Sequence, residues 1–259
     1  MKISEQKLRE SFRNGELKTK LPIIIYDKTD STNNEAKNYI RNRDANSALF
    51  ITSEQTAGKG RLGRSFISDR GGLYMTLLVR LDKNTENPVA ITAYTAVVVR
   101  NAIESLSGIS PKIKWVNDIL IDTKKVCGIL TEGVFNADTG NLEYAIVGIG
   151  INVRGKALAN EISDIATTLE LCGADIEVEM LAAEIVESFF QNFEKLNSLE
   201  YANEYRRHSM LIGKEITVIK NTCQYPASVM GINDKYELIL KLRDGTTELL
   251  YTGEVSVRL

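Results

Sequence analysis

The sequence predicts an α/β protein in which a β-sheet flanked by helices is followed by a small β-barrel. Two observations support this prediction. Strand-like apolar runs alternate with helix-like patterns along most of the chain, and the composition then shifts near residues 206–213. After the shift, strand and turn alternate over about fifty residues, a size that suits a small barrel. We therefore expect a short N-terminal extension at 1–20, a main domain at 21–208 and a barrel domain at 209–259.

The elements of the main domain follow from local patterns. Thr32 and Glu35 have the spacing of a capping box, which predicts a helix from there to about Asn42. Asn87-Pro88 predicts the start of a second helix, and residues 89–106 are apolar nearly all round, so this helix should be buried. A third helix is expected at 180–193. Strands are expected at 21–26, 48–55, 73–79, 111–115, 119–122, 126–135 and 142–153.

The elements of the barrel are separated by turn residues. Asn233-Asp234 and Asp244-Gly245 are typical of hairpin turns. No internal repeat and no low-complexity segment interrupts the pattern. The five expected strands are 215–220, 224–231, 236–242, 246–250 and 254–258.

Composition and charge exclude several classes of function. The 259 residues include 32 basic and 34 acidic side chains, so no bulk positive field is available to bind duplex DNA or an anionic membrane. The segment before the first strand is too short for a DNA-binding domain, and no apolar run suits a signal peptide or a membrane span. We expect no nucleic-acid partner, no membrane association and a cytoplasmic location. The three separated cysteines fit reduced thiols, with Cys127 in a buried strand.

A basic, glycine-rich run from Gly58 to Arg64 is the strongest local signal of function. It reads Gly-Lys-Gly-Arg-Leu-Gly-Arg. Its glycines allow close approach to a ligand, and its arginines match the geometry of phosphate and carboxylate groups. It lacks the Walker A ending, and a strand rather than a helix follows it, against a dinucleotide motif. The run predicts an anion-binding loop, with a solvated basic turn as the alternative. The single histidine, His208, argues against a histidine-based triad or zinc site.

Four further segments accompany this run in a characteristic order. They are Asp30-Ser31-Thr32-Asn33, Lys114-Trp115-Val116-Asn117-Asp118, Lys124-Lys125-Val126-Cys127-Gly128-Ile129-Leu130 and Gly148-Ile149-Gly150-Ile151-Asn152-Val153. Together with residues 55–64, they closely resemble the biotin protein ligases over roughly residues 22–259. The resemblance implies a mixed sheet flanked by helices, of the class II synthetase-like type found in biotin and lipoate ligases, followed by an SH3-like barrel. It also implies the ligase-only class, which lacks an N-terminal DNA-binding domain.

The resemblance implies an ATP-dependent reaction in two steps. The carboxylate of biotin attacks the α-phosphorus of ATP, with Mg²⁺ present, to give biotinyl-5′-AMP. A lysine of a biotin carboxyl carrier protein, of the acetyl-CoA carboxylase type, then takes the biotinyl group. Because an anion must approach a polyanion, the reaction needs cations and positioning rather than a histidine. A lipoate–protein ligase of the same fold and a non-catalytic biotin-binding regulator are the alternatives.

The resemblance also implies roles for individual residues. Lys125 and Arg61 would be catalytic. Residues expected to bind biotin are Ser31, Thr32, Asn33, Gln55, Gly58, Lys59, Arg61, Lys125 and Gly128. Residues expected to bind the nucleotide are Arg61, Arg64, Phe66, Asn117, Asp118 and Asn152. No metal ligand is assigned, although Asp118 is a candidate.

Plainer roles stay open for several of these residues. Lys125 is either the catalytic lysine or a solvated turn lysine, as we expect for Lys124. Thr32 suits a helix cap as well as a ligand contact. The nucleotide candidates Asp118 and Asn152 equally suit structural turns, and Gly128 suits close strand packing.

Three positions depart from the family pattern. Val116 stands where proline is usual, Phe66 where tryptophan is usual, and Lys59 where arginine is common. Phe66 can still stack on an adenine, with a smaller ring area than tryptophan. Lys59 keeps the positive charge but lacks the two parallel N–H donors of an arginine guanidinium. A homodimer paired through a sheet edge is also left open.

Overall fold

The computed structural model describes residues 2–41, 45–81, 88–155, 163–220 and 223–257. The helices in these ranges are α1 (Glu5–Ser11), α2 (Gly15–Lys20), α3 (Thr32–Ile40), α4 (Pro88–Ser107), α5 (Val178–Asn192) and α6 (Leu199–His208). The strands of the first sheet are β1 (Ile23–Tyr26), β2 (Ala48–Thr52), β3 (Leu73–Arg80), β4 (Lys112–Lys114), β5 (Asp118–Ile121), β6 (Lys124–Phe135) and β7 (Leu142–Ile151). The strands of the second sheet are β8 (Glu215–Lys220), β9 (Cys223–Ile232), β10 (Leu238–Lys241), β11 (Thr247–Leu250) and β12 (Glu254–Val257).

The first sheet is mixed, as expected for this fold class. Its strand order is β1-β2-β3-β7-β6-β5-β4. The β1–β2 pair is parallel, because α3 carries the chain back between them, and the other neighbours are antiparallel. The edges of this sheet are therefore β1 and β4. The second sheet is antiparallel, in the order β11-β10-β9-β8-β12.

Helices cover both faces of the first sheet. Alternate residues of β2 show this, because successive side chains of a strand point to opposite faces. Phe50 packs with Ala36 of α3, whereas Leu49 and Ile51 join the larger core that includes α4 and α5. The helix α4 is long and apolar enough to cross a membrane by length and composition alone. Most of it is buried in this core, as a core helix would be.

The capping-box prediction for α3 is wrong by one residue. The N-cap is Ser31, whose side chain makes no capping bond, and Thr32 is the first helical residue. The backbone N–H of Thr32 instead donates to Gln55 Oε1 at 2.8 Å, so a side chain from another segment serves as the cap. Glu35 accepts hydrogen bonds from Thr29 Oγ1 and Tyr26 Oη rather than closing a box. The predicted end at Asn42, like the predicted start at Asn87, lies outside the described residues.

Three helices had no counterpart among the elements expected from sequence: α1, α2 and α6. The first two fill the segment expected to be a bare extension. α1 packs on α5, and the residues that flank α1 contact α5 as well: Ser4 N donates to Glu179 Oε1 at 3.0 Å, and Arg13 pairs with Glu184 and Glu187. These helices are short and polar, and tertiary contacts fix them, so local periodicity gave little signal.

Candidate active site

One cleft brings together most of the residues singled out in the sequence. It lies on the α3 face of the first sheet and measures about 480 Å³ when the open space at its mouth is included. Its lining residues are Ser31, Thr32, Asn33, Gln55, Lys59, Gly60, Arg61, Phe66, Tyr74, Met75, Asn117, Lys125, Gly128, Ile129, Leu130, Gly148, Ile149 and Gly150.

A hydrogen-bonded group of side chains, here called the polar wall, closes one side of the cleft. It consists of Thr32, Asn33, Gln55 and Thr76. Thr76 Oγ1 lies 2.8 Å from Thr32 Oγ1 and 2.6 Å from Asn33 Oδ1. Thr32 Oγ1 lies 3.2 Å from Gln55 Oε1, and Gln55 Nε2 donates to Ser68 Oγ at 3.0 Å. These contacts hold the wall in one arrangement, because its members are each other's partners.

An ionised pair anchors the far end of the polar wall. Asn33 Nδ2 donates to Glu132 Oε2 at 2.9 Å, and Lys37 Nζ lies 2.7 Å from Glu132 Oε1. Burial alone would raise the pKa of Glu132. The hydrogen bonds from Lys37 and Asn33, together with the charges of Lys37 and Lys59, outweigh that effect and hold the pKa of Glu132 below its ordinary 4.5. Glu132 is therefore a carboxylate at neutral pH.

Glycines form the floor of the cleft. Gly128 pairs with Gly150 across β6 and β7, and Gly150 pairs with Tyr74 of β3. The ring of Phe66 lies on this row: a Cβ added at Gly150 would come within 2.8 Å of it, and one at Gly128 within 2.9 Å. At Gly148, in the same strand, a Cβ would meet Asn33 Oδ1 at 2.4 Å. The glycines thus let flat or polar groups lie directly on the sheet.

A second group, here called the basic rim, borders the cleft with Lys59, Arg61 and Lys125. Each cation is held by a partner. Lys125 Nζ lies 2.7 Å from Asp118 Oδ1 and 5.4 Å from the Phe66 ring centroid. The other two contacts are Arg61 Nη1 to Asn117 Oδ1 at 3.0 Å and Lys59 Nζ to Asn34 Oδ1 at 2.5 Å.

The second sheet and α6 brace the turn that carries Asn117 and Asp118. Trp115 Nε1 donates to the carbonyl of Tyr236 in the β9–β10 turn at 2.7 Å. Tyr205 Oη, on α6, donates to the carbonyl of Val116 at 3.1 Å, and the Tyr205 and Tyr236 rings meet edge-on at 5.4 Å. These contacts hold in place Asn117 and Asp118, which are the partners of Arg61 and Lys125.

Four predicted site residues lie beside the cleft rather than in its lining. Gly58 is buried in the basic loop, where a Cβ would come within 2.4 Å of Phe66 O and Ser68 Oγ. Arg64 is exposed on the same loop. Asp118 reaches the cleft through its ion pair with Lys125. Asn152 is buried, and its Nδ2 donates to the carbonyl of Thr167 at 3.2 Å.

Sequence reasoning missed the residues that support the site from below. Thr76 is fully buried in an otherwise apolar stretch of β3, and Glu132 is a lone carboxylate in β6. For Thr76, the signal that would have found it is a single polar residue within a buried strand pattern. Cys127, in contrast, is confirmed as a buried strand thiol, and burial raises its pKa well above the usual range, so it is not a nucleophile.

The side chains of the cleft could hold Mg²⁺ only together with the phosphates of a bound ligand. Across the described residues, no group of three His, Cys, Asp or Glu could hold a metal ion. Asp118 contributes one carboxylate at the edge of the cleft; its buried Oδ1 has the Lys125 ion pair but no hydrogen bond. Mg²⁺ commonly binds through one or two carboxylates together with substrate phosphates and waters. Asp118 fits that limited role.

The fold with this cleft places the protein in a recognised class of α/β ligases. The solved biotin protein ligase of Aquifex aeolicus, in complex with biotin and ATP, has a TM-score of 0.78 and 27% identity, covering 92% of this chain and 98% of its own. The bifunctional ligase/repressor BirA of Bacillus subtilis is 30% identical over an alignment of 268 positions, which covers 99% of this chain and 79% of that protein. The biotin–[acetyl-CoA-carboxylase] ligase of Paracoccus denitrificans is 27% identical, over 83% of this chain and 92% of that protein.

A family model agrees with these similarities. The model for the biotin/lipoate A/B protein ligase family matches residues 25–152, which include every lining residue of the cleft. The chain therefore belongs to the biotin/lipoate A/B protein ligase family, and its relatives lie among the biotin protein ligases.

Proposed function

We propose that the protein activates biotin with ATP to biotinyl-5′-AMP and transfers the biotinyl group to a lysine of a biotin carboxyl carrier protein. One observation carries this proposal: a single cleft joins a buried, neutral polar wall to a rim of positioned cations. The wall suits the neutral ureido head of biotin, and the rim suits its carboxylate and the phosphates of ATP. The relatives that bind biotin and ATP support it further.

In the first step, a carboxylate oxygen of biotin attacks the α-phosphorus of ATP, and the bond from that phosphorus to the pyrophosphate oxygen breaks. Lys125 and Arg61 offset the repulsion between the two anions and the charge that builds on the phosphorus oxygens. Asp118 and Asn117 hold these cations at the cleft, so the reaction needs little rearrangement of the protein. Mg²⁺ bound with the nucleotide would add charge neutralisation, with Asp118 as the candidate carboxylate.

In the second step, the amine of the acceptor lysine attacks the acyl carbon of the adenylate. The acyl–phosphate bond breaks, AMP leaves, and the amine loses one proton to solvent. Lys125, which lies beside the carboxylate in both steps, stabilises the negative charge as it passes to the phosphate of AMP. We assign the same two catalytic residues, Lys125 and Arg61, to both steps, and a cytoplasmic location fits an acceptor of the carboxylase type.

The other predicted residues keep roles that follow from their positions. Ser31, Thr32, Asn33 and Gln55 line the end that would hold the ureido ring, and Lys59 and Gly128 lie between this end and the rim. Phe66, whose ring lies against the glycine floor, keeps its proposed place on the nucleotide side, where it would stack on the adenine. Arg64, Asn117, Asp118 and Asn152 are proposed for the nucleotide side.

Incubation of the protein with biotin, MgATP and a candidate carrier domain tests this function. Intact-mass measurement should show one biotinyl group on the carrier, and quenched samples without carrier should contain biotinyl-AMP. Lipoate is tested in parallel, since the family includes lipoate ligases. Modification with lipoate instead of biotin would replace the proposal with the lipoate ligase, and biotin binding without any adenylate would support a non-catalytic regulator.

A further inference from the structure

The direction of each hydrogen bond in the polar wall follows from Glu132. A carboxylate can only accept hydrogen bonds, so the Asn33 amide must turn its Nδ2 toward Glu132, at 2.9 Å. The same orientation turns Asn33 Oδ1 toward Thr76 Oγ1, at 2.6 Å. An amide oxygen also only accepts, so the single hydroxyl proton of Thr76 is committed to Asn33.

This commitment determines what Thr32 offers to the cleft. Thr76 Oγ1, at 2.8 Å, has no proton left for Thr32 and can only accept from it. Gln55 Oε1, at 3.2 Å, is an acceptor as well and already receives the backbone N–H of Thr32. Both of these neighbours draw the hydroxyl proton of Thr32 into the protein. Its free lone pair is then directed to the cleft, which Thr32 lines.

We infer that Glu132 is a positioning residue, which acts through Asn33 and Thr76 to hold the Thr32 hydroxyl as a hydrogen-bond acceptor for a substrate N–H. The inference rests on the proposed function, because the substrate N–H would belong to the ureido ring. Glu132 itself does not line the cleft and touches no reacting atom. Its low pKa supports the same view, because the order of donors depends on an ionised carboxylate.

The substitution Glu132→Gln removes this constraint while keeping the shape of the side chain. A glutamine can donate as well as accept, so the Asn33 amide is free to turn over. Thr76 then has its proton available for Thr32, and Thr32 can point its own proton into the cleft. The variant should therefore discriminate less between a ligand with an N–H at this position and a ligand with a ring oxygen there, which can only accept a hydrogen bond.

Two analogues of biotin measure this selectivity. In each ring carbamate, one of the two ureido N–H groups is replaced by oxygen, with little change of size. The wild-type protein should bind biotin about tenfold to a hundredfold better than the carbamate that places its oxygen at Thr32. In Glu132→Gln, the ratio of dissociation constants for this pair, measured by calorimetry, should fall at least fivefold, and the ratio for the other carbamate should stay as in the wild type.

Lys37→Gln is the matched control. It removes the other partner of Glu132, at 2.7 Å, but leaves Asn33 facing a carboxylate. Its selectivity should remain that of the wild type. Thr76→Ala is a second variant, useful if Glu132→Gln does not fold. In this variant the hydroxyl proton of Thr32 has only Gln55 Oε1 as an acceptor, at the longer distance of 3.2 Å. The ratio of dissociation constants should therefore fall as well, but by less than in Glu132→Gln.

The outcomes separate the inference from the proposed function. A wild-type protein that does not bind biotin would refute the function itself. A wild-type protein that binds biotin and rejects the carbamate, with unchanged selectivity in both folded variants, would refute the role of Glu132. A loss of affinity that is equal for biotin and both carbamates would also refute it, because that result indicates a purely structural role.

Discussion

The polar wall and the basic rim border the same cleft but are built differently. The wall is buried: Thr32, Asn33 and Thr76 are 3%, 4% and 0% exposed, and they are partners of one another. On the rim, the Lys125 side chain is 30% exposed, and the rim cations are held by separate partners, Lys125 by Asp118 and Arg61 by Asn117. A neutral head group is recognised by a fixed order of donors and acceptors. Anions are bound by charges that can exchange a protein partner for a ligand.

On the proposed function, this difference separates specificity from catalysis within one site. Substitutions in the wall should change which ligand binds, because unpaired buried polar groups are costly. Substitutions on the rim should change the rate, because the rim acts on charge that develops during the reaction. Four predictions test this division, in order of decreasing expected effect.

The largest effect is expected for Lys125→Ala, which removes the cation that we propose beside the carboxylate of biotin. Loss of one such group typically costs about 10²–10³ in rate, so adenylate formation should slow by that factor while the affinity for biotin changes little. Single-turnover measurement of biotinyl-AMP gives the rate, and thermal unfolding checks the fold. Lys124→Ala is the control, since Lys124 is exposed and donates to the Ser163 carbonyl at 2.8 Å. Equal effects of the two substitutions would contradict the assignment of the catalytic lysine.

A second prediction concerns how the rim retains the adenylate. Arg61→Gly removes the charge that reaches from the loop to Asn117 and adds backbone freedom to a glycine-rich segment. The variant should still form biotinyl-AMP but release it about tenfold to a hundredfold faster, as expected for the loss of a charged hydrogen bond. Bystander lysines should then become biotinylated.

The dissociation rate of the adenylate, together with amide exchange over residues 56–71 with and without ligand, checks this prediction. The loop should be less protected without ligand and more protected with it, in the wild type more than in the variant. An Arg61→Lys variant, which keeps the charge, should lie between the two. Equal dissociation rates for wild type and Arg61→Gly would rule out a gating role for Arg61.

The contrast between wall and rim also explains what could be predicted from sequence. The rim was predictable because cations and glycines cluster in short runs, such as Gly58–Arg64. The wall was found only in part. Thr32 and Gln55 stand in recognisable segments. Thr76 and Glu132 belong to no such segment, and only the register of β3, β7 and β6 brings them to Asn33.

The same holds for the fold. Strands and the buried helix α4 were predictable because their apolar periodicity is strong. The helices α1, α2 and α6 were not, since they are short or polar and depend on contacts such as Arg13 with Glu187 and Tyr205 with Val116. The cap of α3 was misplaced for a related reason: its donor pairs with Gln55, 23 residues away. Contacts between distant segments leave no local pattern.

A third prediction tests whether the rim depends on support from α6. Tyr205→Phe removes the hydroxyl that holds the Val116 carbonyl at 3.1 Å, next to Asn117 and Asp118. Since a net hydrogen bond contributes about 0.5–1.5 kcal/mol, the rate of adenylate formation should fall by about threefold to tenfold. Selectivity for biotin over the carbamates should be unchanged, because the wall is untouched. Tyr225→Phe is the control, as its hydroxyl contacts Glu248 within the second sheet. Equal rates in Tyr205→Phe and wild type would show that the rim needs no such brace.

The smallest expected effect concerns the acid stability of the polar wall. Lys37 and Asn33 hold the pKa of Glu132 below 4.5 against the opposing effect of burial. Folding therefore favours the ionised form, so the stabilisation is complete above the ordinary pKa of 4.5 and is lost as the pH falls through the lower folded-state value. Relative to Glu132→Gln, the wild type should be more stable at pH 7, by about 1 kcal/mol or less for a pair that is still partly exposed.

That advantage should shrink below pH 4.5. Urea unfolding of both proteins from pH 3 to pH 7 measures it, with Glu16→Gln as the control for an exposed glutamate whose pKa is lowered by Lys20. If the difference in free energy of unfolding between the wild type and Glu132→Gln stays constant from pH 3 to pH 7, Glu132 is not held ionised by its partners. The donor order of the wall would then need another cause.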